Sequence, residues 1–115
     1  MLATAQEKTA WPAMQEFHAV MSKTYHAAEK NDFAPLKAHA NHLLMAAKAW
    51  QQSPVPKGYD AGVTAPLLKK LVQQCTVVQK AVQDKKPDAV LLKEITRAHD
   101  IFHEITERCT EEAHR

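Results

Sequence analysis

Apolar residues recur at three- and four-residue steps in four separate stretches, with polar residues between them. That period marks amphipathic helices, each with one stripe to bury. The stripes are Met14, Phe17, Met21, Thr24 and Ala28, then Leu36, Ala40, Leu43, Ala47 and Trp50. Leu68, Leu71, Cys75, Val78 and Val82 make the third, and Leu91, Ile95, Ala98, Phe102, Ile105 and Cys109 the fourth. Breakers separate them: Lys30-Asn31-Asp32, then Ser53 to Gly62 with both glycines and two prolines, then Lys85-Lys86-Pro87-Asp88. Pro12 suits a first turn, and Thr64 is a candidate cap for the third helix with Pro66 in its first turn. The pattern therefore predicts helices over about 10–29, 34–52, 65–84 and 88–112, behind a flexible tail at 1–9. Short turns make successive helices antiparallel neighbours. The expected fold is all-α, an antiparallel up-down-up-down four-helix bundle in a single domain over 1–115.

Composition agrees with this pattern and narrows the partners. Two glycines in 115 residues, many Ala, Leu, Lys and Gln, and few β-branched runs favour helix over sheet. A formal charge of +2, with Lys and Glu interspersed along the chain, gives no basic stripe for nucleic acid. No apolar run approaches the ~18 residues of a membrane span, so membrane insertion is not expected. Leu2-Ala3-Thr4-Ala5-Gln6 reads like the end of a secretory signal, with Ala3 and Ala5 at the small-residue positions, and points to a periplasmic or secreted protein.

The candidate chemistry lies in the histidines. His99 and His103 are four apart, so on a helix they sit one turn above each other and can reach one ion. They flank the apolar seam of the last helix, with His103 further out. If Arg108 to Glu112 lies beside Trp11, His103 is level with His18, and His99 falls between His18 and His26. His18 and His26 are roughly 12 Å apart in rise, too far to share an ion on a rigid helix, and ideal phase puts His26 well off the stripe. Four imidazoles from two neighbouring helices suit Zn or Cu, and Glu16, Asp100 and Glu104 are candidates to complete a shell or orient the rings. The plain alternative makes His18 a boundary histidine and His103 a solvated one.

Other chemistry has less to stand on. His39 and His42 are three apart, but His42 points outward, and the pair reads as surface. Cys75 and Cys109 differ by roughly 18 Å in height about the Lys85–Asp88 turn, which argues against a disulfide and for buried thiols. Met14, Met21 and Met45 at helical spacing read as core. There is no HExxH, no Gly-rich phosphate loop and no recognisable nucleophile triad. A carboxylate-bridged di-iron bundle needs Glu-x-x-His pairs, and Glu94 lies five residues before His99. No enzyme activity is expected.

Met14, within Trp11-Pro12-Ala13-Met14, and His103, within Phe102-His103-Glu104, stand early in the first helix and near the end of the last. In this the chain resembles the small periplasmic cytochromes built as four-helix bundles, the b-type cytochrome and cytochrome c-prime. The resemblance covers most of the chain as architecture and two residues as motif. It implies haem b held between Met14 and His103; covalent haem lacks its CxxCH, since Cys109 is followed by Thr110 and Glu111. Three functions are thus expected of the sequence. The first is an exported bundle, monomer or homodimer, holding Zn or Cu through His18, His99 and His103, with His26 as the candidate fourth ligand. The second is a b-type haem protein. The third is a ligand-free interaction module in which Trp50, Tyr59 and the long loop meet a partner.

Overall fold

Every breaker in the sequence ends a helix. A computed structural model describes residues 11–108 and contains α1 (Pro12–Glu29), α2 (Ala34–Gln52), α3 (Ala61–Gln83) and α4 (Asp88–Arg108). Consecutive helices pack on one another and α4 returns to α1, which closes an antiparallel four-helix bundle. Among the described residues no helix is long and apolar enough to cross a membrane. The tail at 1–9, with Ala3 and Ala5, lies outside the described residues, as do Cys109 and His114.

The termini follow local chemistry. α1 begins at Pro12, not at residue 10, because a residue before proline is held extended, and Trp11 sits at φ −123°, ψ 92°. α3 begins at Ala61, four residues before the expected 65. Its cap is Asp60, whose carboxylate accepts from Gly62 N and Val63 N, and not Thr64. Thr64 lies inside the helix, buried, with Oγ1 donating to the Asp60 carbonyl at 2.7 Å. Pro66 is therefore a helix-interior proline, and leaves the Gly62 carbonyl without its i+4 donor.

The ends of α1 and α3 share one device. Asn31 N donates to Ala28 O and Asp32 N to Ala27 O, both at 2.9 Å, while Asn31 takes the left-handed φ of 66°. Lys85 N to Val82 O and Lys86 N to Ala81 O repeat the pattern, with Lys85 at φ 54°. Both reversals thus meet the orphan carbonyls of a helix end without a glycine.

The expected stripes turn inward almost intact, with additions. Val20, Leu44, Ala46, Ala81 and Ile101 join the core, whereas Met14 and Val82 are only half-buried. Aromatic rings fill the end of the bundle that holds the α2–α3 loop. Trp11 meets Trp50 edge-on at 5.7 Å and Tyr59 at 5.0 Å, and Phe17 lies 5.5 Å from Trp50. Trp11 Nε1 donates to Ser53 Oγ at 2.8 Å, and Ser53 Oγ donates to the Trp50 carbonyl at 2.7 Å, tying the loop to both helices. Trp50 and Tyr59 are buried, so neither is available as the partner contact that the interaction-module expectation gave them. On the opposite side of the bundle, Gln74 Nε2 bridges α3 to α4 through the Glu94 carbonyl at 2.9 Å and its carboxylate at 2.8 Å.

Lys85 pays the steric cost of the left-handed region that a glycine avoids. Lys85→Gly should stabilise the protein by about 1 kcal/mol and raise Tm by a few degrees. A thermal melt that stays level or falls would show that the turn draws more from the lysine than from its backbone.

Candidate functional site

The candidate site is a groove of about 380 Å³ between α1 and α4, lined by His18, Ser22, Tyr25, His26, His99 and His103 with Phe102 and Met21 at its base. Three helix positions build its α4 wall. Phe102 turns into the core, 5.7 Å from Phe17, which sets the phase of α4. His99, three residues earlier, and His103, one later, then fall on the flank that faces α1. His99 is half-buried and His103 exposed.

The rings of His99 and His103 lie 4.4 Å apart, and His26 approaches His99 at 6.4 Å from the opposite helix. His18 lies further along α1, its ring stacked on Phe102 at 5.3 Å and 10° from parallel. The four sequence-selected histidines thus line one groove, with His26, His99 and His103 adjacent and His18 beyond Phe102. Met14 is half-buried against the core and does not line the groove. His39 and His42 face each other on α2 at 6.2 Å, away from it.

Sequence reasoning left two members of the site without a role. Tyr25 stacks on His99 with 3.9 Å between centroids and 13° between planes. Side chains lean toward the N-terminus of their own helix, so in an antiparallel pair Tyr25 and His99 lean toward each other. The signal was present as Tyr25 beside the α1 stripe, but ring contact between helices needs their exact register. The second is Glu29, whose carboxylate lies 3.2 Å from His26 Nδ1. Glu107 lies near His103 Nδ1 at 3.7 Å, within ion-pair range but beyond a hydrogen bond.

Charge and burial pull these groups apart. Desolvation, and then the nearby His103, lower the His99 pKa below the usual imidazole value, against a smaller opposing pull from Asp100. Hydrogen bonds from His26 and then Tyr25 hold Glu29 below the usual carboxylate value. Burial, and then the bond to Glu29, push the Tyr25 hydroxyl up. Cys75, the buried thiol of the described core, is raised to about 12 by desolvation and lies outside this chemistry.

Among the described residues no three His, Cys, Asp or Glu side chains already stand together as a metal shell. Two imidazoles on one tetrahedral ion have centroids about 5 Å apart, given a metal–nitrogen bond of ~2.0 Å. The 4.4 Å and 6.4 Å separations bracket that value. Rotation of His99 off Tyr25 and of His26 toward it is the movement that coordination requires. No protein-family model, curated protein or solved structure matches this chain.

The lowered His99 pKa has a fixed sign in stability. The unfolded imidazole takes a proton first as pH falls below about 6.5, so the folded state loses ground there and is unaffected above. In chelator-treated protein, the urea midpoint should fall between pH 7.5 and 5.5. His99→Gln should remove part of that fall. A variant with the full wild-type slope would mean that His99 is not held neutral.

Proposed function

We propose that this protein binds a transition-metal ion, Zn or Cu, in the α1/α4 groove, as an exported carrier, store or sensor without catalytic chemistry. His99 and His103 chelate the ion from α4, His26 joins from α1, and His18 is the reserve ligand beyond Phe102. The observation that carries the reading is the pairing of imidazoles with carboxylates. Glu29 accepts a hydrogen bond at Nδ1 of His26 when that nitrogen carries the proton, which turns Nε2 outward as the free electron pair, and Glu107 lies 3.7 Å from Nδ1 of His103, close enough to take the same part after a small shift. A carboxylate behind a ligating imidazole fixes its tautomer and raises its basicity. The depressed His99 pKa favours the neutral ring that a metal needs. Histidine-only ligation fits Zn and Cu better than Mg or Ca, which take oxygen.

Calorimetric titration of chelator-treated protein with Zn²⁺ and with Cu²⁺ should show one stoichiometric site. His99→Ala/His103→Ala should abolish it; unchanged stoichiometry and affinity would overturn the proposal. The outer carboxylates offer a graded check. Glu29→Gln and Glu107→Gln should each weaken binding roughly 10- to 100-fold while the far-ultraviolet circular dichroism stays the same. If both variants bind as tightly as the parent, the carboxylates do not support the ligands.

A further inference from the structure

Charges that look mixed along the chain are sorted by the fold. α1 and α4 carry seven carboxylates: Glu16, Glu29, Asp88, Glu94, Asp100, Glu104 and Glu107. α2 and α3 carry none, and hold Lys37, Lys48, Lys69, Lys70 and Lys80, all exposed. The loop between them adds Lys57 and one carboxylate, Asp60, which is committed to capping α3. The reading of interspersed Lys and Glu therefore holds for one half of the bundle and fails for the other.

The lysines form rows. Lys37 and Lys48 are eleven apart on α2, and Lys69 and Lys80 eleven apart on α3, so each pair lies within about 20° around its helix axis. The helices are packed neighbours, and Gln79 Nε2 donates to Asn41 Oδ1 across their exposed seam at 3.3 Å. At the end near the Lys85 turn, Lys37 and Lys80 stand 3.7 Å and 3.6 Å from Asp88 and Asp84. Toward the α2–α3 loop the positive field of Lys48, Lys69 and Lys70 has no such neighbour on these two helices. Met45 and Val77, the large apolar side chains left exposed among the described residues, lie to either side of this face: Met45 lines the α1/α2 groove with Glu16, and Val77 the α3/α4 groove with Asp84 and Glu94.

We infer that this α2/α3 flank docks peripherally on an anionic phospholipid bilayer. Charge complementarity selects the occupant's sign, and the makeup of the face selects its class. Protein interfaces are rich in aromatics and arginine and poor in lysine; this face has no arginine, and the aromatic ring of α2, Trp50, is buried. The same lack removes the stacking and forked contacts of nucleic-acid recognition. A lipid surface asks only for extended positive charge, worth about 1 kcal/mol per lysine near the headgroups. The acidic half of the bundle, with the histidine groove, faces away from the bilayer in this orientation. The inference does not depend on metal binding there.

The full chain would be sedimented with vesicles of phosphatidylcholine alone and of a three-to-one mixture with phosphatidylglycerol, at low and high salt. Binding is expected to the mixture only, and to fade with salt. Lys48→Glu/Lys69→Glu/Lys70→Glu should reduce partitioning by about a hundredfold or more. Lys23→Glu/Lys93→Glu/Arg97→Glu changes the net charge equally on the other half and should cost far less. Circular dichroism checks that both variants remain helical, and Lys→Gln versions of both sets serve if either does not. Equal losses in the two sets, binding to neutral vesicles, or no binding to the mixture at low salt would each overturn the inference. Tighter binding to duplex DNA than to the mixture would reassign the face to nucleic acid.

Discussion

Phe102 is the residue on which both the core and the groove depend. Its ring lies 5.7 Å from Phe17 and 5.9 Å from Trp50, which locks α4 against α1 and α2. The same ring carries His18 on one side at 5.3 Å and His103 on the other at 6.0 Å. Burial of a phenylalanine is worth roughly 1.5–3 kcal/mol, far more than the fields acting on exposed imidazoles. Packing therefore decides the rotation of α4, and the histidines take the flank that this rotation leaves. A site assembled in this way is cheap for the fold: its members are exposed or half-buried, and the core closes beneath them.

That hierarchy explains what could be read from the chain. Periodicity reports burial, and burial dominates, so the four stripes and the antiparallel bundle were legible from Phe17, Leu43, Leu71 and Ile95 and their neighbours. The levelling of α1 against α4 also brought His18, His26, His99 and His103 toward one region, because helix rise is nearly constant. What escaped was decided by contacts of one or two residues. Thr64 and Asp60 are both good caps, and the choice fell to Asp60 because its carboxylate reaches two backbone donors. Tyr59 sits in a loop rich in Pro and Gly, and only the three-dimensional closure of that loop sends its ring onto Trp11. Met45 occupies a helical position like that of a core methionine, yet it lies outside the buried arc of α2.

Within the groove, aromatic contact and coordination compete for His99. Stacked on Tyr25, its ring is partly desolvated and kept neutral, which suits a metal ligand; but a stacked ring must turn before its nitrogen reaches an ion beside His103. A half-buried aromatic pair is worth roughly 0.5–1.5 kcal/mol beyond the area it buries, which is small beside the apparent 10–16 kcal/mol of a structural zinc site. The stack therefore orders the ring without preventing it from leaving. Glu29 reaches His26 at 3.2 Å, and its pull on the Tyr25 hydroxyl places the carboxylate between the two rings of α1 that flank His99. The groove is thus a contiguous set of rings and carboxylates.

The division of charge gives that set its setting. Glu29, Asp100, Glu104 and Glu107 lie on the groove's own two helices, and they raise the local concentration of cations there. The lysines of α2 and α3 are placed about a bundle width away, beyond a Debye length of roughly 8 Å at physiological salt. They therefore repel an approaching cation at the groove only weakly, and among them Lys37 is ion-paired to a carboxylate of α4, Asp88. Fields of opposite sign can stand on so small a domain because the core holds the two helix pairs apart. Had the lysines been shared among all four helices, each face would have been nearly neutral, and neither cation attraction nor anionic docking would have a field to act through.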